Sequence, residues 1–347
     1  RGDRRLALAG GLVSGPAFDA ARLDAFLKGA VPGLSGAPEI VPIAGGQSNP
    51  TFFVSYAGRR LVLRKQPPGQ LLPSAHAVDR EYRVISALAG TGVPVPPALL
   101  FCADRDVVGT PFYVMDRVEG RVFHDCTLPG VSPQERTAMY ADMARTLAAL
   151  HNVDVAAAGL ADYGRPGNYF ARQVSRWSRQ WAEIRTREDA NVERLIAWLP
   201  ANIPADDTSR LVHGDFRIGN LMFHPSEPRV VAVLDWELST LGHPLADLAH
   251  SAMAWVSAPE EYGGLRGLDL DALGIPGLEA YVAAYDAAAR HGARMLPFHM
   301  AFALFRWSMI FEGIAARAKA GTASAENAAE TGHLAAAFAK RAVDLID

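Results

Sequence analysis

The sequence predicts an α+β chain in two lobes: a small one built on a five-stranded antiparallel sheet with one inserted helix, and a larger, mainly helical one. Three observations predict this. Five short runs rich in β-branched and aromatic residues lie between residues 39 and 117, interrupted by a single helical pattern. Beyond Glu119-Gly120, apolar residues recur at helical spacing nearly to the end. One β-rich stretch breaks that helical half, Leu211 to Phe223 followed by Val230 to Glu237, and it concentrates His213, Asp215, Asn220 and Asp235.

Residues 1–35 read as an N-terminal helical extension whose helix, Asp19 to Ala30, is stopped by Pro32-Gly33. Residues 36–118 form the small lobe. Its strands are Glu39 to Ala44, Thr51 to Tyr56, Arg60 to Lys65, Ala98 to Ala103 and Pro111 to Arg117, with Ala57-Gly58 as a tight link. Between the third and fourth, His76 to Ala89 sets Val78, Tyr82, Ile85 and Leu88 at helical spacing. Residues 119–347 form the large lobe. Its first helix opens at Ser132-Pro133-Gln134-Glu135, an N-cap Ser, a Pro at the first helical position and a Glu three residues after the cap. Met139, Met143, Leu147 and Leu150 make its buried stripe. Further helices are expected over Tyr169 to Arg187, Val192 to Leu199, Pro244 to Ser257, Leu278 to His291, Met295 to Ala320 and Ala323 to Leu345. The two β-rich runs among them flank a polar loop and read as a hairpin-like connection.

With 347 residues, half of them hydrophobic and a fifth charged, the chain can bury a sizeable core in an ordinary soluble protein. A net charge of −3 gives no reason to expect nucleic acid or an anionic membrane as partner. Only two cysteines, Cys102 and Cys126, are present, which suits a reducing, cytoplasmic setting. The longest apolar run, Pro297 to Ile310, is broken by His299 and Arg306, so no membrane span is expected. The first ten residues carry too short an apolar run for a secretory signal.

The residues of the β-rich stretch suit phosphoryl transfer. One carboxylate accepts a hydroxyl proton, while an amide oxygen and a second carboxylate hold Mg²⁺ on nucleotide phosphates. His213-Gly214-Asp215, four residues, Asn220 and then Asp235 at a strand end match the spacing of the protein-kinase catalytic loop and metal-binding Asp. Gly214 stands where protein kinases carry Arg, and Trp236-Glu237 follows the metal Asp. His213-Gly-Asp-Phe-Arg-Ile-Gly-Asn220 with Leu234-Asp-Trp-Glu237 resembles the aminoglycoside phosphotransferase and choline kinase-like branch of the protein-kinase-like fold. The run from Asp235 to Ala249 looks like the subgroup also found fused to acyl-CoA dehydrogenases. This resemblance covers roughly residues 36 to 345.

It implies ATP and Mg²⁺ as cofactors, Asp215 as catalytic base, and Asn220 and Asp235 as metal ligands. His213 is read as a structural hydrogen-bonder, and Asp247 matches a family position that braces the loop. In the Gly-rich link between the first two strands, Gly46, Ser48 and Asn49 are placed to cover phosphates. Such a stretch alone would equally make a plain turn, and it lacks the Gly-Lys-Ser/Thr ending of a Walker A loop. On the third strand, alternation sets Val62 and Arg64 on one face and Lys65 on the other. Val62 then packs on adenine and Arg64 reaches the phosphates, oriented by Glu81; the alternatives are that Lys65 is the ligand and that Glu81 is an ordinary solvated helix residue beside Arg80 and Arg83. Met115, Asp116 and Val118 mark the hinge where adenine pairs with backbone, though the apolar members would equally serve as sheet core.

On the substrate side, Arg172 and Arg176 belong to a basic face of the Tyr169 to Arg187 helix, and Arg217 either meets substrate or buttresses the loop. A basic wall has the wrong sign for a polycationic aminoglycoside. The subgroup resemblance points instead to a hydroxyl on an acyl or acyl-CoA-like molecule. The expected activity is γ-phosphate transfer from ATP to a small-molecule hydroxyl. The alternative is a non-catalytic nucleotide-binding regulatory protein of the same fold, which would have no need of a base. A metal-dependent phosphohydrolase would need converging histidines, and the spacing of the others shows no such pairing.

Overall fold

The computed structural model describes residues 18–43, 49–69, 76–321 and 332–347. The chain forms two compact units: one runs to Ser86 and resumes over Pro96–Arg117, the other comprises Ala87–Val95 and Val118–Asp347.

In the first unit, α1 (Ala20–Ala30) starts at Asp19, whose carboxylate accepts from the backbone N–H groups of Ala21 and Arg22. Strands β1 (Glu39–Pro42), β2 (Thr51–Tyr56), β3 (Arg59–Lys65), β4 (Ala98–Cys102) and β5 (Phe112–Asp116) make one five-stranded sheet in the order β1-β2-β3-β5-β4. Every neighbouring pair is antiparallel. Helix α2 (Val78–Leu88) follows β3, and a single turn that the sequence did not announce, α3 (Arg105–Val108), follows β4. One face of the sheet is the core of this unit. Leu61 and Leu63 of β3 pack there with Phe112 and Val114 of β5 and with Leu23 and Leu27 of α1. The helix expected as an extension therefore contributes to the core. Gly46 and Ser48, in the link expected to cover phosphates, lie outside the described residues.

The second unit contains α4 (Pro133–His151), α5 (Tyr169–Ile184), α6 (Ala190–Ala201), α7 (Pro244–Ser251), α8 (Met253–Val256), α9 (Pro259–Tyr262), α10 (Leu270–Leu273), α11 (Leu278–Ala288), α12 (Pro297–Lys319) and α13 (His333–Asp344). The single helix expected over Pro244 to Ser257 is interrupted at Ala252. Residues 323–331 of the last predicted helix lie outside the described residues. Ser132 caps α4 as its sequence announced, its hydroxyl accepting from Glu135 N–H at 3.3 Å. The Glu135 carboxylate pairs with Arg121, 2.7 Å away. Helix α12 runs through the centre of the unit, and Ala301, Phe302, Ala303, Leu304 and Phe305 are all buried against α5, α6, α7 and α13. No described helix is long and apolar enough to cross a membrane.

Five short strands complete this unit: β6 (Arg121–Val122), β7 (Arg210–Val212), β8 (Leu221–Phe223), β9 (Val230–Val233) and β10 (Thr240–Gly242). They form two small sheets, β6-β8-β9 and β7-β10. The hairpin expectation is therefore corrected. β8 and β9 pair with each other, but β7 pairs with β10, Val212 opposite Thr240 and Leu211 opposite Leu241. Residues 213–220 bridge two sheets, turning into β8 through a short 3₁₀ segment, Ile218–Asn220.

Candidate active site

The loop between β7 and β8 is held from three sides. Asp247, buried on α7, accepts from the backbone N–H of His213 and, at 2.8 Å, from that of Gly214. Burial works against the Asp247 charge, but its hydrogen bond with His151 and the backbone N–H of His213 hold the carboxyl below the usual carboxylate range. Arg306 of α12 donates to the Gly214 carbonyl at 2.8 Å. His213 completes the clamp. Its Nδ1 accepts from Asp215 N–H at 3.2 Å, and its Nε2 donates to the Leu234 carbonyl at 2.9 Å, tying the loop to the residue before Asp235. Gly214 sits at φ +85°, where a Cβ would come within 2.5 Å of the Leu238 carbonyl oxygen. No larger residue fits there, which is why the Arg of protein kinases has no counterpart.

Asp215 and Asn220 are in direct contact. The Asn220 amide nitrogen donates to both the carbonyl and the Oδ2 of Asp215, each at 2.8 Å. Arg217 Nε also reaches Oδ2, at 3.3 Å. The other carboxylate oxygen, Oδ1, lies 2.8 Å from Nε2 of His250 on α7. Burial raises the Asp215 pKa, and the His250 hydrogen bond and the Arg217 charge outweigh it, leaving the carboxyl far below its ordinary value. Asp235 follows β9 at φ 63°, ψ 66°, a left-handed conformation that non-glycine residues rarely adopt. Leu234 N–H donates to the Asn220 carbonyl at 2.8 Å, so the backbones that carry Asn220 and Asp235 are joined next to both residues.

His250 is the residue that sequence reasoning missed. It follows Asp215 by 35 positions, and no spacing rule connects a helix residue to a loop residue that far upstream.

Beside Asp215, within the second unit, lies a cavity of about 270 Å³. Arg217 and His250 are in its wall, together with Tyr140, Trp255, Tyr262 and Trp307; among the described residues no Asp or Glu lines it. Cys126 also borders the cavity, with burial pushing its thiol up to about 11, so it stays protonated and inert at neutral pH. Arg172 and Arg176 are not in this wall. Arg172 donates to the Arg165 carbonyl at 2.6 Å, and Arg176 lies 5.4 Å from the Trp177 ring centroid.

In the first unit, Glu81 of α2 is the centre of a buried polar cluster. Arg64 Nε lies 2.7 Å from Oε2, the Tyr113 hydroxyl donates to the same oxygen at 3.1 Å, and the Asn49 amide donates to Oε1. Glu81 is 1% exposed, which rules out an ordinary solvated helix Glu. Asn49 is buried as well, its amide turned to Glu81 and to His76. Lys65 points to the opposite face, where it donates to the Val108 carbonyl and sits over the Phe18 ring, and burial lowers its pKa. Val62 and Met115 are cross-strand partners, both buried. Asp116 pairs with Arg59 at 3.1 Å and its N–H donates to the Pro97 carbonyl, while Val118 is half-buried just beyond β5.

Fold and constellation together define a kinase-type phosphotransferase. The chain belongs to the phosphotransferase enzyme family, whose pattern matches residues 39–298. A Ralstonia eutropha protein bearing the name aminoglycoside phosphotransferase is 44% identical with a TM-score of 0.87, over 94% of this chain and 98% of its own. Acyl-CoA dehydrogenase family member 10 of Mus musculus is 44% identical over 329 residues, 93% of this chain and 30% of its own length. Acyl-CoA dehydrogenase family member 11 of Gallus gallus is 42% identical over 341 residues, 94% of this chain and 43% of its own length. The chain thus spans less than half of these relatives, and they carry this domain as the subgroup resemblance implied. Aminoglycoside phosphotransferase APH(4)-Ia, solved in ternary complex with AMP-PNP and hygromycin B, shares the fold at 16% identity, with a TM-score of 0.61 over 94% of this chain and 99% of its own. Arg306 and Trp307 lie beyond the end of the stretch matched by the family pattern.

Proposed function

We propose that this chain is an ATP- and Mg²⁺-dependent small-molecule kinase that transfers the γ-phosphate to a hydroxyl on an apolar, acyl-type acceptor. The observation that carries this reading is the setting of Asp215, held by Asn220 and by His250, which lines an aromatic cavity with no carboxylate among its described wall residues. A polycationic aminoglycoside requires acidic contacts, and an acyl-type chain requires apolar walls. Arg217, at that wall, is the group best placed to meet a carboxylate or phosphate on the acceptor, ahead of Arg172 and Arg176.

In this reading Asp215 orients the acceptor hydroxyl and takes its proton as the bond to phosphorus forms. Asn220 turns its amide nitrogen to Asp215, which leaves the amide oxygen, with the Asp235 carboxylate, as a hard-donor pair suited to Mg²⁺. When bound, that ion neutralises charge on the phosphate oxygens. Arg64, held by Glu81, grips phosphate oxygens, while Val62 and Met115 pack on adenine, which pairs with backbone between Asp116 and Val118. Asn49, at the end of the Gly-rich link, is tied to the same Glu81.

The test is ADP release from Mg-ATP on screening hydroxylated metabolites, hydroxyacyl-CoAs and aminoglycosides among them, with Asp215→Asn as control. That nearly isosteric change should leave nucleotide binding in place and slow transfer by roughly 10²–10⁴-fold. Nucleotide binding without turnover on any acceptor would favour a regulatory binder, and an unchanged rate in the variant would remove Asp215 as the base.

A further inference from the structure

The bond between His250 and Asp215 has a second half. Nδ1 of His250 lies 3.1 Å from the indole Nε1 of Trp307 on α12, and the two rings meet edge to face with centroids 5.7 Å apart. An indole N–H can only donate, so Nδ1 must accept, and the single proton of a neutral imidazole is left on Nε2. That proton points at Oδ1 of Asp215. An imidazolium would set two N–H groups against each other at Trp307. Burial and the nearby Arg306 also disfavour the charged form, holding the His250 pKa below its ordinary value.

From this geometry we infer that Trp307 and His250 form a positioning relay that fixes the plane of the Asp215 carboxylate through one imposed imidazole tautomer. The inference rests on Asp215 being the base proposed above. His250 is a positioning residue in this relay and carries no proton away. A carboxylate offers about four lone-pair directions. Asn220 and Arg217 occupy Oδ2, and His250 occupies one direction at Oδ1. The direction that remains is on Oδ1, the oxygen whose partner also lines the cavity. His250 and Trp307 are 4% and 7% exposed, so both bonds are largely shielded from bulk solvent.

Nitrogen-15 NMR of the imidazoles in the full chain tests the relay without any turnover. His250 should appear as the Nε2–H tautomer, and Trp307→Phe should release it into a mixture. An Nδ1–H tautomer or an imidazolium in the wild type at neutral pH would overturn the inference. The kinetic arm uses Mg-ATP hydrolysis with water as the only acceptor. His250→Leu should lower kcat by roughly 10–100-fold, the usual range for loss of an orienting partner, with KM for Mg-ATP unchanged. His250→Gln, whose amide can accept from Trp307 and donate to Asp215, should recover most of that loss. A Gln variant as slow as the Leu variant, with both folded by circular dichroism, would also overturn it. If Asp215→Asn leaves hydrolysis unchanged while NMR finds the Nε2–H tautomer, the base assignment fails and the relay loses its catalytic purpose.

Discussion

Half-buried Arg64 and buried Glu81 form an ion pair, Nε to Oε2 at 2.7 Å, on the face of the sheet away from Lys65. The two adjacent cations of β3 are thereby given different tasks. A buried Glu that also accepts from Tyr113 and Asn49 fixes the Arg64 guanidinium in one place, which a flexible surface Arg would not achieve.

Arg64→Ala should therefore raise KM for Mg-ATP or lower kcat by at least about tenfold, a loss of ~1.4 kcal/mol or more. Lys65→Ala should leave both nearly unchanged and lower the thermal unfolding midpoint instead, because it deletes the buried bond to Val108. Steady-state kinetics beside a melting curve separates the two, and the reverse order of damage would assign the phosphates to Lys65.

Asp235 combines a chemical and a conformational demand. Asp235→Ala and Asp235→Gly should both abolish Mg²⁺-dependent nucleotide binding by calorimetry. The Gly variant should be the more stable of the two by about 1 kcal/mol, since only glycine adopts a positive φ without strain. Unchanged Mg-ATP affinity in either folded variant would discard the metal assignment.

His299, buried at the start of α12, supplies a pH dependence. Burial, then the neighbouring His243, pushes its pKa down to about 4 from the ordinary 6.5. The unfolded chain takes up this proton at the ordinary value, so between those limits it binds more protons than the native state. The stability involved is complete above pH 6.5 and is lost as pH falls towards 4. The loss at this site is on the order of 3 kcal/mol. Urea unfolding of the wild type and of His299→Gln at several pH values should give a shallower acid limb for the variant; parallel limbs would exclude His299 as the source.

Much of the first unit was legible because its signals are local. Period-two alternation separates Arg64 from Lys65, and the spacing of Val78, Ile85 and Leu88 places Glu81 on a helix over that face. The Asp215, Asn220 and Asp235 pattern was legible because the chemistry constrains both residue type and spacing. What escaped is non-local. Pairing of β7 with β10 depends on partners thirty residues away, which a reading of adjacent β-rich runs turns into a hairpin. The cavity is assembled from α4, α7 to α9 and α12, and no helix alone announces a hollow. The Arg face of α5 was conspicuous in the sequence yet lies elsewhere than in the cavity wall, since amphipathic spacing identifies the buried side of a helix without locating a substrate.

Arg306 and Trp307 are consecutive on α12, and they reach the Gly214 carbonyl and His250 in turn. The loop that carries Asp215 and Asn220 is thus braced by a helix 92 residues downstream of it. A fragment ending with the matched stretch at residue 298 would retain Asp215, Asn220 and Asp235 and lose the two residues that hold their loop. Transplanting the loop and its neighbouring strands onto another framework would transfer the reagents but leave their alignment behind. A fragment that keeps the Asp215 loop in this arrangement has to extend through α12.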